Sequence, residues 1–256
     1  MIKPIIIGNW KLNGNTKLIR NFFKPLNLFL ESYSNNCTTI IAPPILYANI
    51  IQNCIPLDKK NFFLGAQNID CHLSGSFTGE ISSLMIKDIK IKYVIIGHSE
   101  RRFYHNETNA MIAKKFCILK EQNLIPILCI GDTIKEKEEN KTKEVCIQQI
   151  DTIFNMNPYK TNIFDNSIIA YEPLWAIGSG RAANPKSVQS IIHFIRNYII
   201  KKSDHKIKNL FMQYGGSINK KNAKEFIYQK DIDGLLIGGA SLKIKEFTKI
   251  IEIINT

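Results

Sequence analysis

Short, purely apolar runs alternate with longer amphipathic stretches along the 256-residue chain. Eight such runs stand out: Ile5 to Gly8, Thr38 to Ala42, Phe62 to Ala66, Tyr93 to Gly97, Ile125 to Ile130, Ser167 to Tyr171, Leu210 to Tyr214 and Gly234 to Ile237. They are rich in β-branched residues and lack a polar alternation, the pattern of strands buried on both faces. The stretches between them carry an apolar period near 3.6 and helix start signals. "NETNAMIAKKFCILKEQN" predicts a helix with Asn106 as N-cap, and "NPKSVQSIIHFIRNYIIKK" one capped by Asn184 with Pro185 at its first position. "NKKNAKEFIYQ" and "ASLKIKEFTKIIEII" have the same helical period, while Pro25 within "LIRNFFKPLNLFL" predicts a bent or divided first helix.

Strand followed by helix, repeated at a spacing of about 30 residues, predicts parallel strands joined by crossover helices. An open doubly wound sheet and a closed barrel both satisfy that order. A count of eight in this length favours an α/β fold of the (β/α)8 barrel type, eight parallel strands enclosed by helices. No Pro/Gly/Ser linker, low-complexity tract or charge block divides the chain, so residues 1–256 read as a single domain.

Composition adds less. With 45% hydrophobic and 10% aromatic residues the chain can bury a large core unaided. Cys37, Cys54, Cys71, Cys117, Cys129 and Cys146 are scattered, without CxxC pairing or metal-ligand spacing, and are expected to be reduced thiols of a cytosolic protein. The apolar stretch after Met1 is far shorter than a signal-peptide core, and no run approaches a membrane span. A soluble, intracellular protein is expected. The formal charge of +12 reflects 34 basic against 22 acidic residues. These lysines are spread among Ile and Asn rather than gathered in one stripe, which favours compositional bias over help to an anionic substrate or a nucleic-acid surface.

In such a barrel the active site forms at the carboxyl ends of the strands. After the successive runs come "GNWKLNG" with Asn9 and Lys11, "AQN" with Gln67 and Asn68, "GHSERR" with His98 and Glu100, "CIGD", "YEP" with Glu172, "YGGS" with Ser217, and "GGAS" with Gly238 and Gly239. Each alone is ordinary: a lysine after a strand is usually solvated, a lone histidine structural, Gly-Gly a turn, Cys129 a small core residue. Their joint placement at one barrel end is what points to chemistry. "GSGRAA" fits a loose dinucleotide pattern, but six residues separate it from its strand, which the fingerprint forbids. The chain has no phosphate-binding G-x-x-x-x-G-K-[ST] loop, G-x-S-x-G elbow or H-E-x-x-H pair.

"YGGS" and "GGAS" can present unobstructed backbone N–H groups to a phosphate. Glu172 in a site that excludes water is a carbon base, and Pro173, Leu174, Trp175, Ala176, Ile177, Gly178, Ser179, Gly180, Arg181, Ala182 and Ala183 read as a lid: stiff hinge, small-residue tip, second hinge. Gly178 at the tip can bring its N–H onto the phosphate. His98, at a helical start that disfavours imidazolium, can donate to a substrate oxygen as a neutral ring. Lys11 supplies a fixed cation and Asn9 an amide where an enediolate would develop. Together these describe proton abstraction beside a carbonyl and its return to the neighbouring carbon, with no metal and no organic cofactor required.

The segments "GNWKLNG", "GHSERR", "AYEPLWAIGSG", "YGGSI" and "DGLLIGGASL", in this order over the full chain, closely resemble the signature segments of the triosephosphate isomerase family. The resemblance implies a TIM barrel that interconverts dihydroxyacetone phosphate and D-glyceraldehyde 3-phosphate in glycolysis and gluconeogenesis. It implies Glu172 as base, His98 as electrophile, Lys11 as cation and Asn9 as a further substrate contact. Gly178, Ser217, Gly238 and Gly239 match phosphate-contacting positions, and Glu100 and Glu107 match supporting carboxylates, Glu100 beside Lys11. It also implies a cytoplasmic homodimer whose third loop, Asn68 to Glu80, reaches the partner, with Thr78 foremost. The lid departs from the family's commoner residues: Ser179 keeps a hydroxyl and Arg181 a charge, but Ala182 lacks a hydroxyl. Other readings of the residues are a different phosphate-binding barrel enzyme, such as a sugar-phosphate epimerase or an indole-glycerol phosphate enzyme, or a basic nucleic-acid-binding barrel.

Overall fold

A computed structural model describes residues 3–32, 36–55, 61–156, 162–176 and 183–255. Eight strands form one closed parallel barrel in sequence order: β1 (Ile5–Asn9), β2 (Thr38–Ala42), β3 (Phe62–Ala66), β4 (Tyr93–Ile96), β5 (Ile125–Ile130), β6 (Ser167–Tyr171), β7 (Leu210–Tyr214) and β8 (Gly234–Ile237). Closure is visible at β1, where Ile5 pairs with Thr38 of β2 on one side and with Gly234 of β8 on the other. The strands fall where the apolar runs predict them. β4 stops at Ile96, one residue short of its run, because Gly97 turns to φ +67°.

Around the barrel lie α1 (Thr16–Ser32), α2 (Ala48–Gln52), α3 (Ser83–Asp88), α4 (Ser99–Tyr104), α5 (Asn109–Glu121), α6 (Ile134–Glu138), α7 (Thr142–Met156), α8 (Pro185–Lys202), α9 (Ala223–Ile227) and α10 (Ile244–Asn255). Helix α1 buries Ile19, Phe22, Phe23, Leu26 and Leu30, one apolar stripe facing the strands. It runs through Pro25 undivided, contrary to the sequence expectation. Asn21, whose carbonyl loses its partner, and Pro25 itself both lie on the exposed side, where water can replace the missing bond. Asn184 caps α8 as expected, accepting the N–H groups of Lys186 and Ser187. The expected cap of α5 is displaced: Thr108, not Asn106, accepts the Met111 N–H. Asn106 instead sits at φ +53°, just past the end of α4, in the left-handed stop position that Asn tolerates. The last helical stretch is also split, a 3-10 turn at Gly239–Leu242 preceding α10.

Two apolar layers result from the pleat, since successive side chains in a strand point to opposite faces. Ile5, Ile7, Ile40, Ala42, Ile95, Ile127, Cys129, Ile168, Ala170 and Leu236 fill the barrel, with Phe63, Tyr93, Ile125 and Phe211 against them. Ile6, Ile41, Val94, Leu128, Ile169, Met212 and Leu235 face outward into the layer shared with the helices. Continuing the inward parity past the strand ends places Asn9 after Ile5 and Ile7, Glu172 after Ile168 and Ala170, and Gly238 after Leu236. Polar Asn9 and Glu172 close the core, and Gly238 leaves room at the mouth. Among the described residues, no helix is long and apolar enough to cross a membrane.

Candidate active site

At the carboxyl end of the barrel, Asn9, Lys11, His98, Glu172, Gly215, Gly216, Ser217, Ile218, Leu236, Gly238, Gly239 and Ala240 line one cavity of about 300 Å³. This mouth gathers residues from five strand ends. Glu172 follows β6 directly, is 2% exposed, and is fixed by its own N–H to the Ile130 carbonyl at 2.8 Å. Its Oε2 accepts the Ser99 N–H at 3.3 Å, and its Oε1 lies 3.4 Å from His98 Nε2.

His98 is the N-cap of α4, so its backbone geometry is set by the turn that starts this helix. Its Nδ1 accepts the Glu100 N–H at 3.2 Å. An accepting Nδ1 is unprotonated, which leaves the single ring proton on Nε2, the nitrogen facing Glu172 and the cavity.

Lys11 has φ +53°, a conformation that costs a β-carbon-bearing residue on the order of 1 kcal/mol. Two bonds hold it there. Its N–H donates to Asn9 Oδ1 at 3.0 Å, and its carbonyl accepts Gln67 Nε2 at 2.9 Å, the same amide that reaches the Ala42 carbonyl at 2.8 Å. The ammonium is thereby presented to the mouth, where it meets Glu100 Oε1 at 2.6 Å.

Glu107 lies elsewhere. Its buried Oε1 accepts Arg101 Nε at 2.5 Å and Lys115 Nζ at 2.6 Å, and Lys115 also reaches Asn68 Oδ1 at 2.9 Å. This cluster ties the α4–α5 junction to the third loop and does not line the cavity. Thr78 is exposed on that loop. Of the lid, Pro173 is buried and Leu174–Ala176 form a 3-10 turn, with Lys137 Nζ 3.3 Å from the Trp175 ring centroid. Ala183, at the second hinge, donates its N–H to the Tyr214 hydroxyl at 3.1 Å. Ile177, Gly178, Ser179, Gly180, Arg181 and Ala182 lie outside the described residues.

Some contributors escape a reading of the sequence. Gly215 is required by the base itself, because a β-carbon there would stand 2.7 Å from Glu172 Cγ. Cys129 is a core residue as read; burial first, and then the Glu172 charge, push its pKa well up. Of the two phosphate-type loops, after β7 and after β8, the second has room: beside Gly238 the nearest atom to an added β-carbon is Lys11 Cε at 3.5 Å, and beside Gly239 nothing lies within 4 Å. Asn222 Nδ2 braces the first of these loops through the Ser217 carbonyl at 3.0 Å. No group of three or more His, Cys, Asp or Glu positioned to hold a metal occurs among the described residues.

Residues 4–254 match the family model described as triosephosphate isomerase. The chain belongs to the triosephosphate isomerase family. It is 69% identical over 255 residues to the triosephosphate isomerase of Buchnera aphidicola subsp. Cinara cedri, covering 100% of both chains. Against that of Buchnera aphidicola subsp. Schizaphis graminum identity is 52% over 253 residues, 99% of this chain and 98% of the relative. Against that of Serratia proteamaculans it is 47% over 252 residues, 98% and 97% of the two chains. The family's reaction, the interconversion of dihydroxyacetone phosphate and D-glyceraldehyde 3-phosphate in glycolysis, is the reaction of this isomerase.

Proposed function

We propose that Glu172 removes the proton from the carbon beside the substrate carbonyl and returns it to the neighbouring carbon. His98 Nε2–H donates to the carbonyl oxygen as negative charge develops on it. The Lys11 ammonium stabilises the enediolate, and Asn9 contacts the same region through its amide. Backbone N–H groups at Ser217, Gly238 and Gly239 bind the phosphate, and Gly178 adds another from the lid. The observation that carries this reading is the pairing of Glu172 and His98 Nε2, 3.4 Å apart, in the cavity that Lys11 and both glycine loops also line. Burial suits the base, because a carboxylate stripped of water is freer to take a carbon-bound proton.

Glu172→Gln keeps the shape of the side chain and removes the base. We expect kcat to fall by about 10²- to 10⁴-fold in a coupled isomerase assay, with the inhibition constant of inorganic phosphate unchanged. Near-normal turnover by this variant would remove Glu172 from the role.

We further propose a cytoplasmic homodimer. The segments that follow β1 to β4 carry exposed Leu12, Leu46, Met85, Phe103 and Tyr104, apolar side chains that a second copy would cover. Within the third loop His72 stacks on Phe77 with ring centroids 3.7 Å apart, and the Asp70 N–H donates to the Ile81 carbonyl. Its projecting tip, with Thr78, is therefore already shaped in the single chain.

A further inference from the structure

We propose that Arg102 is a positioning residue for the reaction, clamping the main chain under His98 to the strand beside Glu172; this rests on the roles given above to those two residues. Arg102 touches nothing in the cavity. Its Nε donates to the Gly97 carbonyl at 2.7 Å, its Nη2 to the Cys129 carbonyl at 3.1 Å, and its Nη1 to Asn109 Oδ1 at 2.7 Å.

The place of the two carbonyls gives these bonds their meaning. Strands β4 and β5 pair in register from Tyr93↔Ile125 to Ile96↔Leu128. Gly97 and Cys129 stand one rung further on, where the ladder stops because the chain must turn into the cap of α4. The Nε/Nη2 edge of the guanidinium spans that missing rung and accepts no substitute of different shape, since only a planar fork offers two donors at fixed separation. The backbone is fitted around it: at Gly97, φ +67°, a β-carbon would lie 3.1 Å from both Arg102 Nη2 and the Cys129 carbonyl.

What the clamp holds is the spacing of the reacting groups. Gly97 precedes His98, whose ring position follows from the turn it caps. Cys129 lies on β5, one residue before Ile130, whose carbonyl accepts the Glu172 N–H at 2.8 Å. One side chain thus fixes the end of the imidazole's strand against β5, the strand to which the main chain of the carboxylate is bonded. Burial pushes the pKa of the guanidinium down, and the nearby Glu172 and Glu107 carboxylates oppose that.

A rivet of purely structural value would alter stability and leave the chemistry alone. The clamp predicts a loss in kcat of tenfold or more for Arg102→Lys, with KM and the inorganic phosphate inhibition constant within about twofold of the native protein. Guanidinium ion added to Arg102→Ala should restore part of kcat without changing KM. Asn109→Ala leaves the carbonyl fork in place and should show a smaller kcat loss in the same direction, a measurement available even if Arg102→Ala does not fold. Native kcat in a folded Arg102→Lys, or equal changes in kcat and phosphate affinity, would overturn the proposal. Glu172→Gln is assayed alongside: its loss of activity with normal Arg102→Lys turnover rejects the clamp alone, whereas an active Glu172→Gln rejects the reading beneath it and the clamp too.

Discussion

A methyl group tells the two glycine loops apart. Added at Gly215 it would press on Glu172 Cγ at 2.7 Å, and Glu172 is buried with its main chain bonded to Ile130, so the carboxylate is the part that must yield. Added at Gly239 it meets nothing within 4 Å and simply occupies space at the cavity wall. We therefore expect Gly215→Ala to lower kcat by about 10²-fold, the scale of a misplacement near 1 Å, with KM changing less. Gly239→Ala should raise KM and weaken inorganic phosphate inhibition while kcat holds, and steady-state kinetics of both variants would reveal any exchange of these effects. Asn9, Lys11, His98, Glu172 and Ser217 were readable because each stands at or just after the end of an apolar run, where barrel geometry puts chemistry. Arg102 and Tyr214 were not, and Gln67 was read only as a residue after its strand, because they act on main-chain atoms 5 and 27, 31, and 25 and 56 positions away in sequence, and no local pattern marks such a partner.

For whole elements, the strands were legible and the helix starts less so. An apolar run between polar segments has one outcome in a closed barrel, whereas Asn106 and Thr108 are both residues that cap helices. Tertiary order resolves the tie: α4 must end first, and Asn106 ends it by taking φ +53°. Thr108, extended at φ −79° and ψ 161°, is then the residue able to receive the Met111 N–H. The same stop recurs at Asn123 after α5 and Asn140 after α6, both at φ +58°, so asparagine here serves where glycine often ends helices. Thr108→Ala should cost about 1 kcal/mol, seen as a drop of about 2–4 °C in the thermal midpoint. An unchanged midpoint would place the cap elsewhere.

On the scale of the molecule, the proposed dimer and the proposed chemistry meet at one segment. Leu12 is 97% exposed in the single chain, next to the strained Lys11 whose carbonyl Gln67 holds. Leu46 is 78% exposed, and Tyr47 beside it donates its hydroxyl to the Gly14 carbonyl in the same loop. A partner seated on Leu12 and Leu46 would hold the loop carrying the cation, so separation of the subunits frees Lys11 to leave its costly conformation. Leu46→Glu tests this without disturbing the core, since the side chain is already outside it. Sedimentation velocity should show the variant as a monomer at concentrations where the native chain is a dimer, and the thermal midpoint of the monomer should not fall through lost core packing. In the coupled assay its specific activity should drop at least tenfold, with the native protein losing activity on dilution through the same dissociation range. A monomeric variant with native turnover would sever the link between the interface and Lys11, and a native chain that sediments as a monomer at every concentration would remove the interface itself.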